Sequence, residues 1–214
     1  MSDLEPRALE LLAESDTLEL HASPGQLEAF LDAREAAQGR RSLTVEDLCA
    51  WQRLITGTVE LRDPEALGRW LAELNAALAP IGRFESDVVV AQLLGDHVHH
   101  FLELNPFGGG DGRVGRLVLN YIATWCQRPL IVVRAAERAA LDAARSSALA
   151  MRCWMAEKLR ETTVDLLREG AVLERTRIGS NADIYARPGG GELIIERHDL
   201  LAACTRWQAA SQPR

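Results

Sequence analysis

Positive charge is scarce in this chain of 214 residues: 24 Lys and Arg stand against 31 Asp and Glu, a formal net charge of −7 at pH 7. That balance disfavours an extended surface for nucleic acid or anionic membrane, and no basic run interleaved with aromatics offsets it. No apolar stretch reaches membrane-spanning length, and the N-terminus carries acidic residues without the apolar core of a signal peptide. Neither nucleic acid nor membrane is therefore expected as a partner, and a cytoplasmic location is. Cysteine is sparse and scattered. Cys49, Cys126, Cys153 and Cys204 form no C-x-x-C pair, so they read as reduced, mostly buried small hydrophobes. Internal repeats and low-complexity segments are lacking too. A core of this length needs no staples, and one compact domain plus an extension is the default.

What the chain does contain is helical periodicity. Residues 4–14 read as a short helix with Leu4, Ala8, Leu11 and Leu12 on one side. Ser23-Pro24 starts another, with Ser as N-cap and Pro at the first helical position, and Gly39 ends it. Thr44 opens a third in a capping-box arrangement with Asp47, and Val45, Leu48, Trp51 and Ile55 form its buried face up to Gly57. Asp63-Pro64 opens a fourth, carrying Leu67, Trp70, Leu71, Leu74 and Leu78, stopped by Pro80. Ser86 caps a helix whose first half (Val88 to Leu94) is apolar nearly all round, the mark of a central, buried element. Alanine-rich helical sequence then runs from about 135 to 168, with at most one break near Ser146-Ser147. Beyond Gly170 the pattern alternates like short strands at 172–178, 183–187 and 192–196, and a last helix covers about 198–209. The expected organisation is an N-terminal helical segment (1–40), a mainly α core (41–169) and a small appendage of β structure plus a helix (170–214).

The chemistry concentrates between two of these helices, in Leu104-Asn105-Pro106-Phe107-Gly108-Gly109-Gly110-Asp111-Gly112-Arg113-Val114-Gly115-Arg116. Glycines permit positive φ and let a backbone approach a ligand closely. A glycine-rich loop opening onto a helix N-terminus presents unpaired N–H groups and the positive end of the helix dipole, which suits phosphate. Arg113 and Arg116 lie three apart in the first turn, so both can face the loop. From chemistry alone, Gly110, Gly112, Arg113 and Arg116 are candidate phosphate or nucleotide ligands; a tight helical corner with surface arginines is the alternative.

The same loop resembles the signature of the Fic/Doc (Fido) family, His-Pro-Phe-x-Asp/Glu-Gly-Asn-Gly-Arg-x-x-Arg. Pro106, Phe107, Gly110, Gly112, Arg113 and Arg116 match it in register, and the likeness extends over roughly residues 40–168, from Leu43-Thr44-Val45-Glu46-Asp47-Leu48 to the segment Arg128-Pro129-Leu130-Ile131-Val132. The resemblance implies a Fic/Fido-like helical core, transfer of AMP from ATP to protein hydroxyls, and therefore ATP or another nucleotide with Mg²⁺ as cofactor and a protein as target. Three departures stand against the activity. Asn105 replaces the family's catalytic His, Gly109 its metal-binding carboxylate and Asp111 its Asn. A carboxamide does not titrate and cannot act as general base. Glycine offers no side-chain ligand to Mg²⁺. Asp111 brings a negative charge into a nest suited to anions, a repulsion of order 1 kcal/mol or more. The gap Thr58–Arg62 is also too short for the β-hairpin flap that holds the family's target peptide by strand addition.

The expected function is thus a degenerate Fic/Fido-domain protein that lacks ordinary AMP transfer and acts as a binding or regulatory pseudoenzyme toward a partner protein. The alternative is a divergent active transferase in which Asp111 supplies metal binding or the base. A third reading places a metal on Asp96/His100 and His99/Glu103, pairs at i,i+4 spacing; no third distant ligand stands out, and no metal ligand is assigned. Many Fic proteins also carry an inhibitory helix, Ser/Thr-x-x-x-Glu-Gly/Asn, whose Glu pairs with the second motif arginine. Ser15 and Glu19 fit its first and fifth positions, Leu20 departs from the sixth, and the spacing recurs at Ser42/Glu46 and Thr56/Glu60.

Overall fold

Capped helices of moderate length dominate the computed structural model, which describes residues 8–9, 11–14, 25–82, 85–168, 174–178, 182–186, 192–196 and 200–210. They are α1 (Gln26–Gln38), α2 (Val45–Thr56), α3 (Pro64–Leu78), α4 (Asp87–Leu104), α5 (Asp111–Trp125), a 3-10 turn (Ala135–Glu137), α6 (Arg138–Ala144), α7 (Ala148–Arg168) and, after three strands, α8 (Leu200–Ala210). Further helical turns lie at 8–9 and 11–14.

The starts and stops follow local chemistry. The Thr44 hydroxyl accepts from the Asp47 amide while Asp47 accepts from the Thr44 amide, so two otherwise orphaned donors of α2 are satisfied reciprocally. Asp63 accepts from the Ala66 amide, and Ser86 from that of Val89. Gly57 closes α2 at φ 79°, a left-handed conformation that costs glycine little. The helix α1 begins at Gln26 behind Gly25; the expected cap Ser23 and Pro24 lie outside the described residues. The alanine-rich stretch does break once, at Arg145–Ser147, but its first turn is 3-10. The strands β1 (Glu174–Ile178), β2 (Ala182–Ala186) and β3 (Glu192–Glu196) form an antiparallel sheet in that order, with a register irregularity between Arg175 and Arg177.

The core is a helical bundle around α4, α5 and α7. Glycine permits the closest crossing. A Cβ on Gly95 of α4 would stand 2.5 Å from the Cα of Arg152 on α7, so these axes approach only because that atom is missing. A bidentate ion pair between Asp96 and Arg152 fastens the same crossing (Nη2 to Oδ2 2.8 Å). Nearly every residue of α5 is buried, including Arg113, Arg116 and Asn120. Three buried tryptophans bring large apolar area and still find a partner for each indole N–H: Trp51 donates to Asp32 (2.6 Å), Trp70 to the His97 carbonyl (3.2 Å) and Trp125 to the Leu78 carbonyl (3.1 Å). Arg128, 5% exposed, closes the end of α5 by an ion pair to Asp87 at 2.6 Å and by donating to the Cys126 and Glu85 carbonyls. The C-terminal helix α8 packs on α7, burying Ala203 and Cys204. All four cysteines are free thiols, and among the described residues no helix is long and apolar enough to cross a membrane.

Candidate functional site

The central helix α4 delivers the motif loop by stopping at Asn105, which takes a left-handed conformation (φ 45°, ψ 56°) and donates its amide to the Phe101 carbonyl. Asparagine tolerates that conformation better than most residues. Gly108 and Gly110 follow at φ 68° and 77°, and the chain then turns into α5 at Asp111. The Asp111 side chain folds back into the loop and is only 8% exposed. Its Oδ1 accepts from the Phe107 amide at 2.9 Å. Burial is the larger influence and pushes this carboxyl above its ordinary pKa, while the amides of Phe107, Asp111 and Gly109 and the Arg62 guanidinium favour its charged form. The ring of backbone donors that would cradle an anion therefore already surrounds a carboxylate belonging to the chain.

Asn105 completes a chain of polar contacts. With its amide nitrogen turned toward the acceptor, it donates to Asp111 Oδ2 at 2.8 Å and its Oδ1 accepts from Arg62 Nη1 at 2.7 Å. Arg62 is held at both ends, because its backbone amide donates to the Pro106 carbonyl at 2.8 Å. Its guanidinium lies against Gly108, where an added Cβ would meet it at 2.4 Å. From the other side, α2 leans on the loop. Gln52 Nε2 donates to the Gly109 carbonyl at 2.6 Å, and Thr56 Cγ2 stands 2.7 Å from where a Cβ of Gly110 would be. By contrast, a Cβ at Gly109 would meet no described atom within 4 Å.

The two motif arginines are not surface residues: Arg113 and Arg116 are 5% and 8% exposed. Arg116 lines a cavity of about 180 Å³ on the flank of α5, together with Gly112, Gly115, Arg138, Asp142 and Arg145 on its polar side and Leu119, Leu141, Trp154 and Met155 on its apolar side.

No family model and no curated protein matches this sequence. Solved structures do. The crystal structure of a Fic domain containing signaling protein from Bacteroides thetaiotaomicron VPI-5482 superposes with a TM-score of 0.56 at 14% identity, covering 76% of this chain and 90% of the other. The fold is of the Fic type. At that identity the likeness speaks for the architecture alone: a mainly α, Fic-like helical core with a small C-terminal sheet.

On that frame the motif residues can be placed one by one. Asn105, Gly110, Asp111, Gly112, Arg113 and Arg116 all fall in the loop or the first turns of α5. Ser15 and Glu19 lie outside the described residues. The His-rich half of α4 does not gather as the spacing suggested. Asp96 is engaged by Arg152 and His100 faces Glu73 at 3.9 Å, so Asp96 and His100 do not form a ligand pair. His99 Nδ1 lies 3.6 Å from Glu103, but His99 is buried and belongs to the packed face of α4 instead of a solvated one. Burial also lowers the pKa of His97, as it does for any base that must charge in an apolar setting. Among the described residues no group of three or more His, Cys, Asp or Glu could hold a metal. Mg²⁺ does not fit the loop either. Gly109 contributes no carboxylate, its carbonyl already accepts from Gln52, and the Asp111 oxygens already accept from Phe107 and Asn105.

Arg62, Gln52 and Thr56 were missed by sequence reasoning. Gln52 and Thr56 do carry a faint signal, two polar residues at i,i+4 on an otherwise amphipathic helix. Arg62 carries none, because its link to the loop is a tertiary contact across more than forty positions.

Proposed function

We propose that this chain is a Fic-fold pseudoenzyme: it does not transfer AMP, and it acts by binding, in a regulatory role toward a partner protein. The observation that carries this reading is the pair of hydrogen bonds at Asn105, which donates to Asp111 and accepts from Arg62. The position that needs a titrating base holds a neutral amide, and that amide is locked between a carboxylate and a guanidinium of the same chain. Loss of a general base alone typically costs ~10²–10⁴-fold in rate. The self-filled anion nest and the missing metal carboxylate at Gly109 weigh in the same direction.

One observation favours a second reading, a divergent transferase with Asp111 as base: burial raises that carboxyl toward a useful pKa. Its oxygens already accept from Phe107 and Asn105, however, and those bonds hold the carboxylate turned into its own loop, whereas a base must reach the hydroxyl it deprotonates. Incubation with Mg²⁺ and labelled ATP, alone and with lysate, separates the two. No labelled protein is expected. Robust labelling that disappears in Arg113→Ala would overturn the pseudoenzyme reading.

A further inference from the structure

We propose that Cys153 and Cys204 are a reversible thiol–disulfide pair that latches the helix α8 onto α7. They stand 51 positions apart in the chain, so no local spacing announces them. The fold brings them together. Cys204 Sγ lies 3.8 Å from the Cys153 carbonyl oxygen, and its thiol is within hydrogen-bonding reach of the Cys153 thiol. Cys204 is 8% exposed, with Ala203 buried beside it and Trp207 packed against the core about one turn further on. Cys153 is half-buried. A disulfide requires Cα atoms no more than about 7 Å apart, and α7 and α8 are already packed against each other. Closure therefore asks for side-chain rotation, not for two helices to be brought together.

The two thiols have different tasks. Cys153, the more exposed, meets the oxidant, a low-molecular-weight disulfide. Its thiolate attacks one sulfur, forming a mixed disulfide and releasing the first small thiolate. Cys204 then attacks Cys153 Sγ: the protein disulfide forms, the mixed one breaks and the second small thiolate leaves. Two protein thiols are oxidised by two electrons, the small disulfide is reduced, and both thiol protons end on the departing thiols. Burial first, and the neighbouring thiol second, push Cys204 up to about 12. That suits a group that waits for its neighbour over one that reacts with solutes directly. The strands β1, β2 and β3 all lie between the two cysteines in the chain, so closure turns the sheet-bearing segment into a covalent loop. Cross-links that span long segments remove the most chain entropy. Reduced, α8 is held by packing on α7 and α4 and opens on its own; oxidised, it opens only with α7.

The full chain, first reduced and then incubated with oxidised glutathione, tests this by tryptic mass spectrometry without reductant. The expected product is the peptide 153–158 joined to the peptide 198–206 with the loss of two hydrogens. It should run as a monomer on a non-reducing gel and revert with reduced glutathione. Hydrogen exchange of the α8 amides is expected to slow by about tenfold or more on oxidation. Cys153→Ser, at the half-buried position, and Cys204→Ala, with the fold checked by circular dichroism, should each abolish the cross-link and the change in exchange. Cys49→Ser on α2, where Arg53 and Glu46 are the charges acting on the thiol, should leave both readouts intact. No oxidation, a mixed disulfide at Cys153 that never closes, cross-linking through Cys49 or Cys126 in equal yield, or α8 exchange equal in both redox states overturns the proposal.

Discussion

Asp111 differs from asparagine by one heavy atom and by its charge, and on the reading proposed here that charge is what keeps an anion out of the loop. Replacing it with Asn keeps an oxygen for the Phe107 amide and removes the charge. Phosphate binding at the loop should then improve by about tenfold for each ~1.4 kcal/mol of repulsion relieved, measured by calorimetry with and without Mg²⁺. Weaker Mg-nucleotide binding in Asp111→Asn, seen only when Mg²⁺ is present, would show that the carboxylate is a metal ligand. The glycines of the loop are just as unequal. Gly110 sits at φ 77° beneath Thr56, so Gly110→Ala is strained in backbone and in space and is expected to lose about 1–3 kcal/mol of stability. Gly109 lies at negative φ with open space around it, and Gly109→Ala should stay within about 0.5 kcal/mol. Urea midpoints for the two variants check the contrast.

Elements whose limits are set by their own residues were legible in the sequence, and those set by neighbours were not. Thr44 with Asp47, Asp63 with Pro64, and Ser86 each mark a helix start, because a cap is a contact within four residues. Nothing local announces that Gly95 is where α4 and α7 cross, nor that Arg62 reaches the motif loop. Gly95→Ala should cost about 2–3 kcal/mol, since the clash is with backbone and one helix has to move. The cap of α2 supplies a pH-dependent counterpart. Burial alone would raise the Asp47 carboxyl, but the Arg41 guanidinium and the Thr44 amide and hydroxyl outweigh it and hold the pKa below the usual value. A depressed folded pKa stabilises above the unfolded value, near pH 4, and that contribution is lost as pH falls through the folded one. Asp47→Asn should therefore cost about 1 kcal/mol at pH 7, and the cost should shrink as pH falls through the depressed folded pKa. A constant difference across that range in thermal melts would contradict the assignment.

At the scale of the molecule, the motif residues and the all-helical core could be anticipated because they lie close together in sequence or repeat with the helical period. What the loop does could not, because its state depends on Arg62 from the α2–α3 connection and on Gln52 and Thr56 from α2. This sets how far the protein stands from activity. Restoring Asn105→His, Gly109→Asp and Asp111→Asn returns the residues that the Fic resemblance asks for, and the free space at Gly109 can take the new carboxylate. Arg62 would still press on Gly108 and compete for the ring at position 105, so Arg62→Ala has to accompany them. The fourfold variant is expected to bind nucleotide in an Mg²⁺-dependent manner more tightly than the parent, because a metal carboxylate and an empty nest then coexist. It is still expected to label no lysate protein above background. Strand addition needs an extended edge beside the loop, and Thr58–Arg62 is spent on turning from α2 into α3 with its last amide bonded to Pro106. Calorimetry reads the first expectation and labelled ATP the second. Strong labelling of lysate proteins by this variant would mean that four side chains, and not the missing flap, are what separates the chain from a transferase.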